Sequence, residues 1–347
     1  MIHTDNDKPR LVVLLGAGST IHANAPSTTE ITQHVEAHAS ETTRAIFDAL
    51  KAQHGASNIN FERLIYAIDG LIGYFLRREN PGGWNLLGGV LSAFTQPDPR
   101  FGCCKSGDLE EERIRVATLI SRFVWEKTEN SSADQLKDFL DRLEQTFRLT
   151  VFTLNYDNLI DRAGEWFDGF ADLQEPPDEF GSGYRFNPVE FIEKFHTAPR
   201  VLAHLHGNVQ FAYDDKGIEV VKFLDANDAI QSLDSNPMNN LPPTISGFNK
   251  ESRLVKEPIP FGYYYQAFIE AILGTSRLLV AGYGRNDLHV QPWLAEIVRL
   301  KRSNWRLTWI DKEEINFFHT SNIRLIQESF PTSNETTNEI VKHLNSV

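Results

Sequence analysis

The fold of this chain is decided by the segment LVVLLGAGST, which runs from Leu11 to Thr20. In it, an apolar run is followed by two glycines and two hydroxyl residues. The five residues after the apolar run are Gly16, Ala17, Gly18, Ser19 and Thr20. A buried strand that ends this way is typical of a phosphate-binding turn, because Gly16 permits the turn and Gly18 lets backbone N–H groups approach a pyrophosphate. The alternative is a strand–turn–helix junction that binds nothing.

The residues around this turn narrow the class of nucleotide-binding protein. We expect Ser19 and Thr20 to add hydroxyl groups at the N-terminus of the next helix, where the helix dipole favours anions. The dinucleotide fingerprint also requires a small residue three positions after Gly18, where this chain has Ile21. This departure argues against a conventional dehydrogenase.

The composition excludes several classes of protein. The chain has 347 residues, a formal net charge of −13 and no dense run of lysine and arginine. Direct binding of nucleic acid is therefore not expected, because phosphate neutralisation dominates such binding. No run approaches the ~20 apolar residues of a membrane-spanning helix, and the polar N-terminus has no apolar signal core. We predict a cytoplasmic protein that makes no membrane contact.

Five apolar runs rich in branched side chains predict the strands of a parallel sheet. They are LVVLL (11–15), LTVFTL (149–154), RVLAHL (200–205), RLLVAGY (277–283) and WRLTWI (305–310). Each ends in a polar, glycine or acidic cluster, and ligands of open α/β sheets bind at these carboxyl ends.

Between the first two strands the sequence is almost wholly helical. FERLIYAI (61–68) and RVATLISRF (115–123) place apolar residues at i, i+3, i+4 and i+7. We therefore predict an α/β fold with a Rossmann-like parallel sheet flanked by helices and a helical lobe inserted after the first strand. The expected parts of this single domain (1–347) are the sheet (1–26 and 148–315), the helical lobe (27–147), an irregular insertion (207–260) and a C-terminal helical segment (316–347).

Polar residues follow the second and third strands. Thr153, Asn155 and Asp157 stand two apart at the end of the second strand, although Asp157 could simply cap the next helix. After the third strand, alternation predicts His204 and His206 on the same face. Such a pair can bind a metal, but no third ligand is evident nearby, and two satisfied core histidines remain the alternative.

The last two strands end in a similar way. The fourth strand breaks at Gly282, Tyr283 and Gly284, and Asp287 follows three residues later. The fifth ends in Asp311, an acidic residue suited to accept hydrogen bonds from ribose hydroxyls.

In this order, the motifs GAGS, TLNYD, HLHGN and GYGRNDLHV and the acidic strand end resemble the sirtuin (silent information regulator) superfamily over residues 11–315. Within it, they are most similar to bacterial sirtuin-like effectors of antiphage defence, which are NAD⁺ hydrolases. Deacylase sirtuins carry two Cys-x-x-Cys pairs for a structural zinc, whereas this chain has only Cys103 and Cys104. We therefore expect no zinc module, and protein deacylation loses its main support.

The resemblance implies a role for each motif residue. The expected catalytic residues are His206, with Asn155 and Asp157 beside the nicotinamide ribose. The residues expected to bind the rest of NAD⁺ are Gly16, Ala17, Gly18, Ser19, Thr20, Pro26, Thr153, Gly282, Tyr283, Gly284, Asp287 and Asp311. Pro26 belongs to the segment that covers the nicotinamide pocket, and deacylases have a serine in place of Gly284. Asp311 favours NAD⁺ over its 2′-phosphorylated form.

The function implied is hydrolysis of NAD⁺ to nicotinamide and ADP-ribose, with NAD⁺ as substrate and no metal. The resemblance further implies a toxic antiphage (abortive-infection) effector controlled by homo-oligomer assembly or by a separate sensor, such as a HerA-type ATPase or an Argonaute-like protein. Two alternatives stay open. One is a non-catalytic module that binds NAD or ADP-ribose, and the other is an NAD-dependent deacylase or ADP-ribosyltransferase. A cyclic product is also open, because cyclisation depends on the exclusion of water.

Overall fold

The computed structural model describes residues 8–79, 105–172, 183–213, 219–235, 259–285, 287, 289–301, 304–312 and 322–347. Cys103 and Cys104 lie outside the described residues, as does much of the expected insertion 207–260. The strands are β1 (Arg10–Leu15), β2 (Arg148–Thr153), β3 (Phe170–Asp172), β4 (Gly183–Phe186), β5 (Arg200–His204), β6 (Phe211–Tyr213), β7 (Val220–Phe223), β8 (Arg277–Ala281), β9 (Arg306–Asp311) and β10 (Ile323–Gln327). The helices are α1 (Thr28–Ala37), α2 (Glu41–His54), α3 (Phe61–Glu79), α4 (Ser106–Thr128), α5 (Asp134–Glu144), α6 (Leu159–Arg162), α7 (Pro188–Lys194), α8 (Ala226–Ser235), α9 (Phe261–Gly274), α10 (Gln291–Leu300) and α11 (Asn334–Leu344).

Six strands form one parallel sheet in the order β10-β9-β8-β1-β2-β5. Taken in chain order, these strands follow the Rossmann arrangement, in which the chain first builds outward from β1 on one side and then returns to β1's other side. The predicted Rossmann-like α/β class is confirmed. The topological switch point lies between β1 and β8, and ligands of such sheets bind outside the carboxyl ends of the strands at that point.

Both faces of the sheet are covered by helices, and the buried residues of β1 alternate between the two cores. Val12 and Leu14 belong to a core that includes Phe268 of helix α9. Leu11 and Val13 belong to the opposite core, which contains residues of helices α5 and α11. Helix α5 lies within the expected helical lobe (27–147), but it packs on the sheet.

The helical lobe has its own hydrophobic core. Phe61, Leu64, Ile65 and Ile68 are at most 2% exposed and lie in one cluster with residues of α1, α2 and α4. The helical periodicity of FERLIYAI therefore correctly predicted both the helix and its buried face. In the part of the chain that the structure describes, no helix combines the length and apolar character needed to cross a membrane.

Two parts of the fold differ from the expectation. The segment 316–347, expected to be helical, contains β10 before α11, and β10 forms an edge of the parallel sheet. Its sequence, IRLIQ, has charged and polar positions, because an edge strand is only partly covered, and it carries no continuous apolar signal. Within the expected irregular insertion, β6 and β7 join β3 and β4 in an antiparallel sheet.

Candidate active site

A cavity of about 520 Å³ opens at the switch point of the parallel sheet. Most of the predicted site residues line it: Gly16, Ala17, Gly18, Thr20, Pro26, Asn155, Asp157, His206, Gly282, Tyr283, Gly284, Asp287 and Asp311. Ser19 and Thr153 do not line it; they are fully buried behind it. The chain order of the motifs therefore correctly predicted which strand ends converge.

The glycines of the β1 and β8 turns allow two backbones to pack against each other. A Cβ on Gly16 would lie 2.5 Å from the carbonyl oxygen of Gly282, and a Cβ on Gly18 would lie 2.8 Å from Gly282 Cα. Gly282 has a φ of +62°, and a Cβ there would lie 2.2 Å from the backbone nitrogen of Ser19. Only glycine fits these three positions without a backbone shift.

The first turn differs from the predicted phosphate turn in two respects. Two short 3₁₀ helices, Ala17–Ser19 and Ile21–Ala23, follow it, so no long helix N-terminus lies beside Gly18. The Gly18 N–H donates to the carbonyl oxygen of Gly282 at 2.9 Å, and the Ser19 N–H donates to the carbonyl oxygen of Gly16 at 2.9 Å. Because no long helix begins here, the expected helix-dipole contribution is absent, and these two N–H groups already have partners within the protein.

Hydrogen bonds fix the orientation of the Asn155 amide. Asn155 Nδ2 donates to Ser19 Oγ at 3.2 Å and to Thr20 Oγ1 at 3.0 Å. The Ser19 hydroxyl donates to the Gly16 carbonyl oxygen, and the Thr20 hydroxyl donates to Asp157 Oδ2 at 2.8 Å. Because both hydroxyl protons are used elsewhere, both oxygens can only accept from the amide, which sets Nδ2 toward them.

The carbonyl oxygen of the same amide has no hydrogen-bond partner within the described residues. Asn155 is 3% exposed, its Oδ1 is buried and unpaired, and its side chain lines the cavity. Its backbone N–H donates to Thr153 Oγ1 at 3.1 Å, which explains why Thr153 belongs to the site although it lies behind the cavity. Buried polar atoms are nearly always satisfied, so an unpaired one at a cavity wall marks a position for a ligand donor.

Asp157 contributes to the site by accepting hydrogen bonds from its neighbours. Its second carboxylate oxygen, Oδ1, accepts from the backbone N–H of Leu159 at 3.1 Å, at the start of α6, although the N-cap residue of that helix is Asn158 and not Asp157. Burial raises the pKa of Asp157, and the hydrogen bonds from Thr20 and Leu159 oppose the rise. Asp157 therefore links the amide network to the start of a helix.

His206 lies at the cavity in a group of three ligand-type side chains. It is 2% exposed, and its Nε2 lies 3.0 Å from His289 Nε2 and 3.5 Å from Asp287 Oδ1. The ring of Tyr156 lies 6.1 Å from the His206 ring, centroid to centroid. The sequence motif GYGRNDLHV contains His289, but nothing in it predicts that this residue meets His206.

The prediction that His204 and His206 share a face is wrong. Strand β5 ends at His204, so the alternation of side chains stops there and His206 turns into the cavity. His204 Nε2 instead lies 2.9 Å from Asp161 Oδ2, and Lys222 Nζ lies 2.6 Å from Asp161 Oδ1. The third ligand-type group that the sequence did not reveal is found beside His206.

The opposite end of the cavity is formed by the ends of β8 and β9. Tyr283 is fully buried and its ring faces that of Trp309 at 6.0 Å, while Gly284 is exposed. Asp311 ends β9 and lines the cavity. Three lobe residues at the cavity wall, Asn60, Phe61 and Glu62, were not predicted from the sequence. Helical periodicity indicates which face of a helix is buried, but it does not show that the start of the helix also contacts the cavity.

The charge of the cavity wall is mostly negative. The lining carboxylates are Glu62, Asp157, Asp287, Asp311 and Glu328, and the lining cations are Arg285 and Lys312. A wall of this charge favours a ligand that has a cationic part.

No protein-family model matches this chain, and no curated protein does. Solved Sir2 structures show a distant likeness. A mutant Sir2 homologue in complex with 2′-O-acetyl-ADP-ribose is 13% identical, with 99% of this chain and 94% of that chain covered and a TM-score of 0.48. Sir2 bound to an acetylated peptide is 14% identical, with 97% and 94% covered and a TM-score of 0.46. Sir2 with a peptide and NAD⁺ is 14% identical, with the same coverage and a TM-score of 0.45.

Proposed function

We propose that this protein is a sirtuin-like NAD⁺ glycohydrolase that cleaves NAD⁺ into nicotinamide and ADP-ribose. The observation that carries the proposal is the buried, unpaired Oδ1 of Asn155, a residue that lines the cavity at the switch point together with His206. The motif resemblance supports the choice of NAD⁺.

The chemistry needs few groups. The bond from the ribose C1′ to the nicotinamide nitrogen breaks with its electron pair going to the ring, so nicotinamide leaves neutral and requires no general acid. Positive charge grows on the ribose as this bond stretches, and fixed dipoles stabilise it best. The oxygen of water then bonds to C1′ and gives up a proton.

Each candidate residue has a role in this scheme. Asn155 Oδ1 accepts from a ribose hydroxyl or from the attacking water, and the fixed amide keeps that geometry. His206 accepts the proton released by water. Asp157 is a positioning residue, because both of its carboxylate oxygens are occupied by Thr20 and Leu159.

Chromatography of NAD⁺ incubated with the purified protein tests the proposal. We expect nicotinamide and ADP-ribose from the wild type and a ~10²–10⁴-fold lower rate from His206→Ala, with a loss in the same range from Asn155→Ala. His38→Ala, at the exposed residue that follows α1, is the matched control and should keep the wild-type rate. Binding of NAD⁺ without turnover would instead indicate a regulatory module, and no binding would refute the proposal.

We further propose that the enzyme depletes cellular NAD⁺ as an antiphage effector, under control of a homo-oligomer or a separate sensor protein. The support is the motif resemblance alone. Expression in bacteria should lower NAD⁺ and arrest growth for the wild type and for His38→Ala, but not for Asn155→Ala. Equal growth arrest by wild type and Asn155→Ala would separate toxicity from NAD⁺ cleavage. Light scattering of the same samples measures the assembly state.

A further inference from the structure

Three side chains beside the cavity place ligand atoms close enough to share one ion. A ring nitrogen of His206, a carboxylate oxygen of Asp287 and a ring nitrogen of His289 all lie within 4.8 Å of one another. His206 and His289 are 2% and 4% exposed. The trio joins the turn after β5 to the loop after β8, which are far apart in sequence and come together at the sheet edge.

The two distances from His206 to the other members of the trio fit a four-coordinate metal. In a tetrahedral site with ligand bonds of about 2.0–2.1 Å, neighbouring ligand atoms lie about 3.3 Å apart. Here Nε2 of His206 lies 3.0 Å from Nε2 of His289 and 3.5 Å from Oδ1 of Asp287. We propose that His206, Asp287 and His289 bind one divalent transition-metal ion, of the class of Zn²⁺ or Co²⁺.

The ligand chemistry selects this class of ion. Two imidazoles and one carboxylate suit Zn²⁺, Co²⁺ or Ni²⁺, whereas Mg²⁺ and Ca²⁺ prefer oxygen ligands. Three protein ligands leave a fourth position, and because His206 and Asp287 line the cavity, that position is open to a small molecule.

Hydrogen bonds also hold the backbone of two of the proposed metal-binding residues. The hydroxyl of Tyr265 donates to the backbone carbonyl of His289 at 2.6 Å and accepts from Trp293 Nε1 at 2.9 Å. The Asp287 carbonyl accepts from the N–H groups of Val290 and Gln291, at 3.1 and 2.9 Å, where α10 begins. These contacts fix the backbone on which two of the three ligands stand.

The ion would compete with catalysis, a consequence that rests on the proposed function. An imidazole coordinated through Nε2 carries its proton on Nδ1, so His206 would have no lone pair left to accept a proton from water. Zn²⁺ should therefore inhibit NAD⁺ cleavage, with inhibition reversed by a chelator.

The test uses the full chain without a histidine tag, freed of metal by a chelator. Titration with Co²⁺ should give the visible absorption of a four-coordinate ion at one equivalent per chain, and Zn²⁺ should displace it. His289→Ala and Asp287→Asn should each weaken Co²⁺ binding by more than the ~10–100-fold typical of outer-shell changes. Asp287→Asn keeps the size of a part-exposed side chain, so it remains informative if His289→Ala does not fold.

The control addresses the other histidine pair that could hold an ion. His34 lies in α1 and His38 is the residue after its end, with ring centroids 4.3 Å apart. The double variant His34→Ala/His38→Ala should leave the Co²⁺ absorption unchanged. If this variant abolishes the absorption, or if the wild type gives none, the proposed site is refuted.

Co²⁺ binding tests the metal site, and NAD⁺ turnover tests the proposed function. Co²⁺ binding that depends on His289 supports the metal site even if no NAD⁺ is cleaved, in which case the proposed function alone fails. NAD⁺ cleavage that saturating Zn²⁺ leaves unchanged would overturn the proposed competition.

Discussion

Two buried polar clusters of this protein are satisfied in different ways. In the first, which we call the ion-pair cluster, Lys222 bridges Asp161 and Asp168 at 2.6 Å each, and His204 lies 2.9 Å from Asp161. In the second, the amide cluster, Asn155 hydrogen-bonds Ser19 and Thr20 through Nδ2 while its Oδ1 is left unpaired.

This difference distinguishes a cluster that stabilises the fold from a cluster that we propose binds a ligand. Each charged side chain of the ion-pair cluster has an oppositely charged partner within the protein, and its unpaired atom, His204 Nδ1, belongs to a residue that does not line the cavity. The amide cluster holds an unpaired oxygen on a residue that lines the cavity; leaving it unpaired costs about 1–3 kcal/mol, and a ligand that donates to it would recover this cost. Of the two histidines of HLHGN, His204 belongs to the first cluster and His206 lies beside the second.

The largest effect on stability is expected at Lys222. Lys222→Met leaves Asp161 and Asp168 buried without their cation, so it should lower the free energy of unfolding by about 3–5 kcal/mol. Turnover per folded molecule should stay unchanged, because Lys222 does not line the cavity. Urea unfolding and NAD⁺ chromatography of the same sample measure both quantities.

The control for that variant is an exposed ion pair. Lys194 pairs with Glu190 one helical turn away, and Lys194→Met should cost at most about 1 kcal/mol. If Lys222→Met is as mild as this control, or if it lowers turnover without lowering stability, the division between the two clusters is wrong.

A smaller effect, on both stability and turnover, is expected at Thr20. Thr20→Val removes the donor to Asp157 and one acceptor of the Asn155 amide, so stability should fall by about 1–3 kcal/mol. Because Thr20 positions the amide, kcat should fall more than KM rises, and Thr20→Ser should restore both. Steady-state kinetics and urea unfolding give the two values.

Thr308 offers a matched control for Thr20. It is also fully buried, but its hydroxyl has no hydrogen-bond partner within the described residues. Thr308→Val should therefore be neutral or stabilising and should leave kcat unchanged. Equal losses in Thr20→Val and Thr308→Val would mean that burial matters and the amide network does not.

The sequence predicted the sheet and the convergence of its motifs, but it did not predict these clusters. LVVLL and the four other apolar runs are buried on both faces, so continuous apolar runs identified them. The close packing of Gly16 and Gly18 against Gly282 depends on β8 returning beside β1, which no local pattern contains.

The same limit explains the missed residues. His289 meets His206 across 83 positions of sequence, through the strand order. Lys222 stands in a short strand of a segment without apolar periodicity, and its two carboxylate partners come from other elements. Long-range polar contacts depend on the completed topology, whereas periodicity and turn residues are local.

The smallest effect expected is a pH dependence of opposite sign in the two clusters. Burial alone would raise the pKa of Asp161, but the charges of Lys222 and His204 lower it well below its usual range. The pKa of Asp157 is raised, with burial as the main cause. Asp161 therefore contributes stability that is present above the unfolded carboxyl pKa of about 3.9 and is lost as the pH falls. Charged Asp157 carries a cost that shrinks once the pH falls below its raised pKa and is gone below the unfolded carboxyl pKa.

Unfolding free energies of wild type, Asp161→Asn and Asp157→Asn between about pH 7 and pH 3 check the two signs. The stability deficit of Asp161→Asn relative to wild type should shrink toward acid pH, because wild type loses the ion-pair contribution there. Over the same range, the free energy of unfolding of Asp157→Asn should fall relative to that of wild type. Protonation removes a buried charge from wild type and so stabilises it, whereas the variant's amide carries no charge at any of these pH values. If both differences moved in the same direction, Asp157 would be held by charge as Asp161 is, and the amide cluster would be a second ion-pair cluster.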